Sequence, residues 1–257
     1  MSLDFDHELF TARQIDRIAV INLKKNLIRQ LTDLNLKEGL FKHLNNISRD
    51  NTVKVVLCMG NPEKIKRMEI IAFLNELTGS TTGIDQISRI YNAINQLVLL
   101  IRGMSKIIVH ADSGEVMSFF LNISLACDYR IIGDKTVFQY PLLELGLVPK
   151  GGGIFFMARK LGTSKTMELL LAGKDIDARE ALALGLVDRV VPSENIEAAA
   201  METAAMIANK PMRFISGIKK LLNLSSRDLD SFLDQENTQL LECIKSGGFR
   251  QRLAQYS

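Results

Sequence analysis

The chain has no tryptophan, four tyrosines, five prolines and only three cysteines in 257 residues. The cysteines, Cys58, Cys127 and Cys243, are odd in number and far apart, which excludes a disulfide framework as the source of stability. Two of them sit in apolar runs, where a small buried thiol is the ordinary role. That usage fits a reducing compartment, and a cytoplasmic location is expected. An excess of one charge is also lacking: 32 Lys and Arg face 29 Asp and Glu, a net charge of +3, with the basic residues scattered. Neither a nucleic-acid partner nor a membrane surface is therefore expected. No apolar run is long enough to span a bilayer, and the acidic start MSLDFDHELF carries no secretory apolar segment. The three histidines lack ligand spacing, so no metal is expected.

What is present suits a globular protein: 47% hydrophobic and 24% charged residues, in a chain long enough to bury a real core. Leu9 to Lys24 reads as a hairpin turning at Gln14–Arg17. Leu27 to Ile47 has helical spacing with an interruption near Gly39, and Asn51 to Met59 reads as a buried strand. Strand, helix, strand in this order favours a right-handed crossover. Asp85 to Met104 is helical by pattern, and Lys106–Val109 is a strand. Downstream lie short helices, with Asp177 and Glu180 at capping-box spacing. An Ala-rich helix follows over Glu194–Asn209, then helices over Met212–Leu222 and Ser226–Lys245.

The chain is organised around Asn122 to Gly153: a small-residue run ending LACD, a strand-turn-strand, and a Gly151–Gly153 run opening a helix. LACDYRI, Phe138–Pro141, Glu144–Pro149, Leu161-Gly162, Ala178–Ala181, Gly185–Asp188, Val190–Pro192, Ala208–Pro211 and Lys219-Lys220 occur in the order and spacing of one family. On these blocks the chain resembles the crotonase (enoyl-CoA hydratase/isomerase) superfamily. The resemblance implies an α/β crotonase-like ββα superhelix (ClpP/crotonase fold) with a C-terminal helical region. Residues 1–192 are then the core domain and 193–257 a C-terminal helical trimerisation region, in a homotrimer or dimer of trimers. It also implies an acyl-CoA thioester ligand, with coenzyme A as part of the substrate and no separate cofactor.

The same resemblance exposes departures. Relatives carry three glycines where this chain has Ser118, Phe119 and Phe120, and the middle amide, here that of Phe119, is an oxyanion donor. The second donor comes from a small-residue loop that here reads Glu63–Glu69, which places Met68 and Glu69 at that position. The loop either supplies an N–H or is helical and supplies none. The two hydratase carboxylates fall on Asn122, which cannot take a proton at neutral pH, and on Leu142, left only a substrate-binding role. Simple hydration is therefore disfavoured.

Four polar residues remain as catalytic candidates: Glu144, Lys150, Asn122 and His110. Lys150 stands where some family isomerases place a proton-moving aspartate. It is read as a base or as a partner for an acidic substrate group, because lysine pKa falls readily on desolvation. The Gly151 and Gly152 amides would hold an anion or a polarised carbonyl at a helix N-terminus. Arg250 and Arg252 would meet coenzyme A phosphates, or only solvent. The expectation is a family member with altered thioester enolate chemistry: an isomerase, hydrolase or lyase of fatty acid metabolism. The alternative is a non-catalytic acyl-CoA binder or structural partner of an active paralogue.

Overall fold

A computed structural model describes residues 3–24, 27–30, 33–61 and 63–256. The chain opens with β1 (Phe5–Asp6), β2 (Phe10–Ile15) and β3 (Ile18–Leu23). Next come α1 (Leu27–Gln30), α2 (Leu34–Arg49), β4 (Val55–Met59), α3 (Arg67–Gly79) and α4 (Gly83–Gly103). The middle of the chain holds β5 (Ile107–Asp112), β6 (Glu115–Met117), α5 (Ser118–Ser124), β7 (Tyr129–Gly133), β8 (Val137–Gln139) and α6 (Pro141–Glu144). The remainder is α7 (Gly153–Leu161), α8 (Thr163–Ala172), β9 (Ile176–Asp177), α9 (Ala178–Ala183), β10 (Arg189–Val191), α10 (Ile196–Ala208), α11 (Met212–Asn223), α12 (Leu229–Lys245) and α13 (Gly247–Leu253).

Among the described residues the strands form a seven-stranded sheet in the order β1-β2-β3-β4-β5-β7-β10 and a three-stranded sheet β6-β8-β9. The β2–β3 pair is the expected hairpin; Asp16 at its turn has φ 51°. From β3 onward the large sheet is parallel, as crossover helices require. The helix expected to break near Gly39 does not: α2 runs through it, capped by Asp33, which accepts from the Asn35 and Leu36 amides. Gly39 instead makes room for the His7 ring, which a Cβ there would displace, standing 2.7 Å from its Nε2. Asp177 caps α9 by accepting from the Glu180 amide, as its spacing predicts.

Two apolar layers hold the sheet. The period-2 alternation of β5 divides them: Ile108 faces the large core with Leu40, Leu44, Ile94 and Val98. Val109 and Ala111 face the smaller core. That smaller core is closed by the small-residue face of α10, formed by Ala199, Ala200, Ala204 and Ala208, which lets the helix lie close on the strands. α12 packs on α4 through Leu229, Leu233 and Leu240. The strand of residue 107 runs to Asp112, three residues beyond the expected end, so His110 and Asp112 are built into the sheet.

Candidate functional site

The site begins at the glycine-rich turn. Gly151 (φ 92°) and Gly152 (φ 76°) both lie in the left-handed region, where a side chain would be strained. Their conformation turns two successive amides the same way at the start of α7. Gly153 must also lack a side chain, because a Cβ there would come within 2.4 Å of the Asn122 side chain. Asn122 is buried beneath the turn and donates from Nδ2 to the Lys150 carbonyl at 3.0 Å.

The two amides already have an acceptor. Gly151 donates to Oε2 of Glu236 at 3.0 Å and Gly152 to Oε1 at 2.9 Å. Lys150, 3% exposed, places Nζ 2.7 Å from the same Oε2 and also donates to Oδ1 of Asn95. Burial pulls the Lys150 ammonium below the ordinary lysine pKa, and Glu236 opposes that shift. An ammonium has three donors. Two are used, and Nζ otherwise lies 5.8 Å from the Tyr91 ring centroid.

Lys150 lines a cavity of about 70 Å³ together with Phe119, Leu142, Met117, Tyr91 and Leu240, walled further by α3 and α4. Apart from Lys150 and Tyr91 its described lining is apolar. Phe119 lies in the first turn of α5, its ring edge-on to Phe120 at 5.3 Å between centroids. Phe119 and Leu142 therefore line one cavity. Asn122 does not line it; its Nδ2 supports the turn, while its buried Oδ1 has no hydrogen-bond partner.

The other sequence candidates lie elsewhere. Glu144 sits on α6, partly exposed, in an ion pair with Arg67 and accepting from the Tyr256 hydroxyl at 3.0 Å. It does not line the cavity of Lys150. His110 faces a separate cavity of about 30 Å³, beside a buried ion pair between Lys64 and Asp112. Its Nε2 lies 4.0 Å from Asp112, its Nδ1 has no partner, and burial holds its pKa below the ordinary histidine value. Met68 and Glu69 belong to the first turn of α3 rather than to a loop. The Glu69 amide donates to the Lys66 carbonyl at 3.0 Å and is thereby lost as an oxyanion donor, while the Met68 side chain is exposed. The Gly151 and Gly152 amides, expected to meet a ligand, are taken by Glu236. Arg250 and Arg252 lie exposed on α13. Neither lines the Lys150 cavity.

Sequence reasoning missed Glu236, Asn95 and Tyr91. A signal existed for the first: Leu229, Leu233, Glu236, Leu240 and Ile244 form one stripe of α12, and all five are buried. A carboxylate on the apolar stripe of an amphipathic helix calls for a buried partner. Among the described residues no cluster of His, Cys, Asp or Glu could hold a metal, and no helix is long and apolar enough to cross a membrane.

Comparison with known proteins agrees with this architecture. The sequence profile described as enoyl-CoA hydratase/isomerase matches residues 14–256. Trans-2-decenoyl-[acyl-carrier-protein] isomerase of Streptococcus mutans is 24% identical over 226 residues, covering 87% of this chain and 84% of that protein. The fatty acid oxidation complex subunit alpha of Shewanella loihica is 35% identical over 133 residues, half of this chain but only 19% of that longer protein. Among solved structures, the enoyl-CoA hydratase of Bacillus halodurans superposes with a TM-score of 0.84 at 21% identity. It covers 96% of this chain and the whole of the other. That likeness shows the fold, the mixed α/β crotonase type.

Proposed function

The chain belongs to the enoyl-CoA hydratase/isomerase family, and on that premise we propose that it binds an acyl-CoA thioester and moves a proton on it through Lys150, as an isomerase does. The observation that carries this reading is the placement of Lys150. It is the one cationic group among the described lining of the cavity that Phe119 and Leu142 share. The hydratase carboxylate positions hold a leucine and a buried asparagine occupied with the turn, so hydration has no acid-base pair here.

The chemistry follows from the lysine's valence. Lys150 rests as an ammonium paired with Glu236; on giving up one proton it keeps two N–H donors for Glu236 and Asn95 and gains a lone pair to accept a proton from the substrate. Removing a proton from the enoyl chain breaks one C–H bond and delocalises the electron pair onto the thioester oxygen. The resulting ammonium stabilises that dienolate by its charge. It then returns the proton to the other end of the conjugated system; one C–H bond forms, the double bond moves, and nothing is oxidised. Burial lowers the lysine pKa and so favours loss of that proton, while Glu236 opposes the shift. Coenzyme A enters as part of the substrate, with no further cofactor.

The test is solvent exchange. With short 2-enoyl- and 3-enoyl-CoA in heavy water, mass spectrometry should detect deuterium entering the acyl chain. Lys150→Met should reduce the exchange rate by about two to four orders of magnitude. Unchanged exchange in that variant removes Lys150 from the mechanism. A second reading, a non-catalytic acyl-CoA binder, is favoured by the Phe119 side chain in the cavity wall and by amides already filled from within. Binding without any exchange in the wild type selects it. In either case the exposed Phe214, Ile218, Leu221 and Leu222 on α11 support burial of that helix between copies in a homotrimer or dimer of trimers. A cytoplasmic location fits the three unpaired cysteines.

A further inference from the structure

We infer that Glu236 is a specificity-determining residue: it fills, from within the protein, an anion seat that shares Lys150 with the acyl cavity, and so confines that cavity to short, uncharged acyl groups. The acyl half of this inference rests on the thioester reading above; the seat itself does not.

A buried lysine in an acyl cavity would ordinarily be taken as a receptor for a carboxylate-bearing acyl group. The seat is indeed built for one. The Lys150 ammonium and the Gly151 and Gly152 amides converge on a single carboxylate, at 2.7, 3.0 and 2.9 Å. Two left-handed glycines in succession form an anion-binding concavity, and the start of a nine-residue helix adds its dipole. The occupant comes from α12, a distant element, and is 5% exposed. With Glu236 seated, the positive charge is answered and both glycine amides are used. A substrate carboxylate brought into the cavity would be a second desolvated anion sharing one cation, which disfavours its charged form. Size imposes the other limit. The cavity, about 70 Å³, is small for a ten-carbon chain.

The experiment has two arms on the full-length protein. In the first, calorimetry compares the wild type with butyryl-CoA, decanoyl-CoA and succinyl-CoA. Butyryl-CoA should bind at least about tenfold more tightly than either of the others; equal or tighter binding of succinyl-CoA overturns the inference. In the second, Glu236→Ala removes the carboxymethyl group, and acetate is the probe, with chloride at equal ionic strength as the control. Acetate should raise the melting temperature of Glu236→Ala and leave the wild type unmoved, and the variant should gain affinity for succinyl-CoA relative to butyryl-CoA. Acetate no better than chloride overturns the seat. If the variant does not fold even with acetate, the wild-type panel still decides. If no thioester binds the wild type, the acyl reading falls, and acetate rescue decides the seat separately.

Discussion

Lys219 and Lys150 are both buried ammonium groups, and they differ by one hydrogen bond. Lys219 donates to the Ile101 carbonyl at 3.1 Å, the Lys106 carbonyl at 2.9 Å and Oδ2 of Asp128 at 2.7 Å, so all three N–H groups are used. Lys150 has acceptors for two. A fully satisfied buried lysine can only hold structure; one with a position left over, beside a cavity, can also act on what enters it.

Lys219 ties α11 to the end of α4 and to the start of β5. Lys219→Met leaves the half-buried Asp128 without its cation and the Ile101 and Lys106 carbonyls without their donor, at a cost of about 2–4 kcal/mol. Urea unfolding should show that loss, while acyl-CoA affinity of the folded fraction stays the same. A loss below about 1 kcal/mol would contradict this account of the residue.

Gly153 and Asn122 should be coupled. A Cβ at position 153 meets Asn122 within 2.4 Å, so Gly153→Ala overpacks a buried site, at a cost of about 1–3 kcal/mol. Asn122→Ala opens the space that the methyl needs. A double-mutant cycle by chemical denaturation should return a coupling energy of at least about 0.5 kcal/mol with the double variant better than the sum of the singles. Additive effects would mean that the two side chains do not meet.

Stability should fall on mild acidification, in part through His43. Burial, followed by the nearby His7, lowers its pKa from the ordinary 6.5. Its ring stacks on Phe5 at 5.2 Å, and its Nε2 has no partner. In the window from 6.5 down to the folded value, the unfolded chain binds the proton more readily than the folded one. Stability is thus greatest above 6.5 and is lost as pH falls. His43→Phe keeps a ring in the stack and removes the titration, so melting temperature should depend less steeply on pH. Some slope should remain, because His110 is shifted the same way. An unaltered slope in the variant would show that His43 is not a source.

Phe119 should set both stability and chain length. It is 7% exposed and packed on Phe120, so Phe119→Ala is expected to cost about 3–5 kcal/mol. The space released adjoins the cavity of Lys150. Among acyl-CoAs of increasing length, the preferred chain should lengthen in the variant by calorimetry, provided the thioester reading holds. A preference that stays put would place the acyl chain away from Phe119.

Much of this was legible along the chain because it depends on near neighbours. The hairpin at Asp16, the cap at Asp177, the helix of 83–103 and the buried strand of 55–59 follow from local turn chemistry and from periods of two or three to four residues. Of the two alternatives for Glu63–Glu69 the helical one forms over its end, where Glu69 reaches back to the Lys66 amide and starts α3. The missed end of β5 has a local cause too, since continued pairing with β7 carries it on to Asp112. Asn122 was misread because side-chain direction depends on how α5 meets the turn, and nothing in residues 118–124 states that.

The sequence by itself determined the order of elements and the family pattern from LACD to Lys219-Lys220, since each is a matter of which residue stands at which spacing. Only the tertiary structure decided what the glycine turn binds. Glu236 lies 84 positions beyond Gly152, and helical periodicity could place it on a buried stripe without naming its partner. Which carboxylate meets which lysine is settled by how α12 docks on α4, and a buried charge takes whichever counter-charge that docking brings within reach.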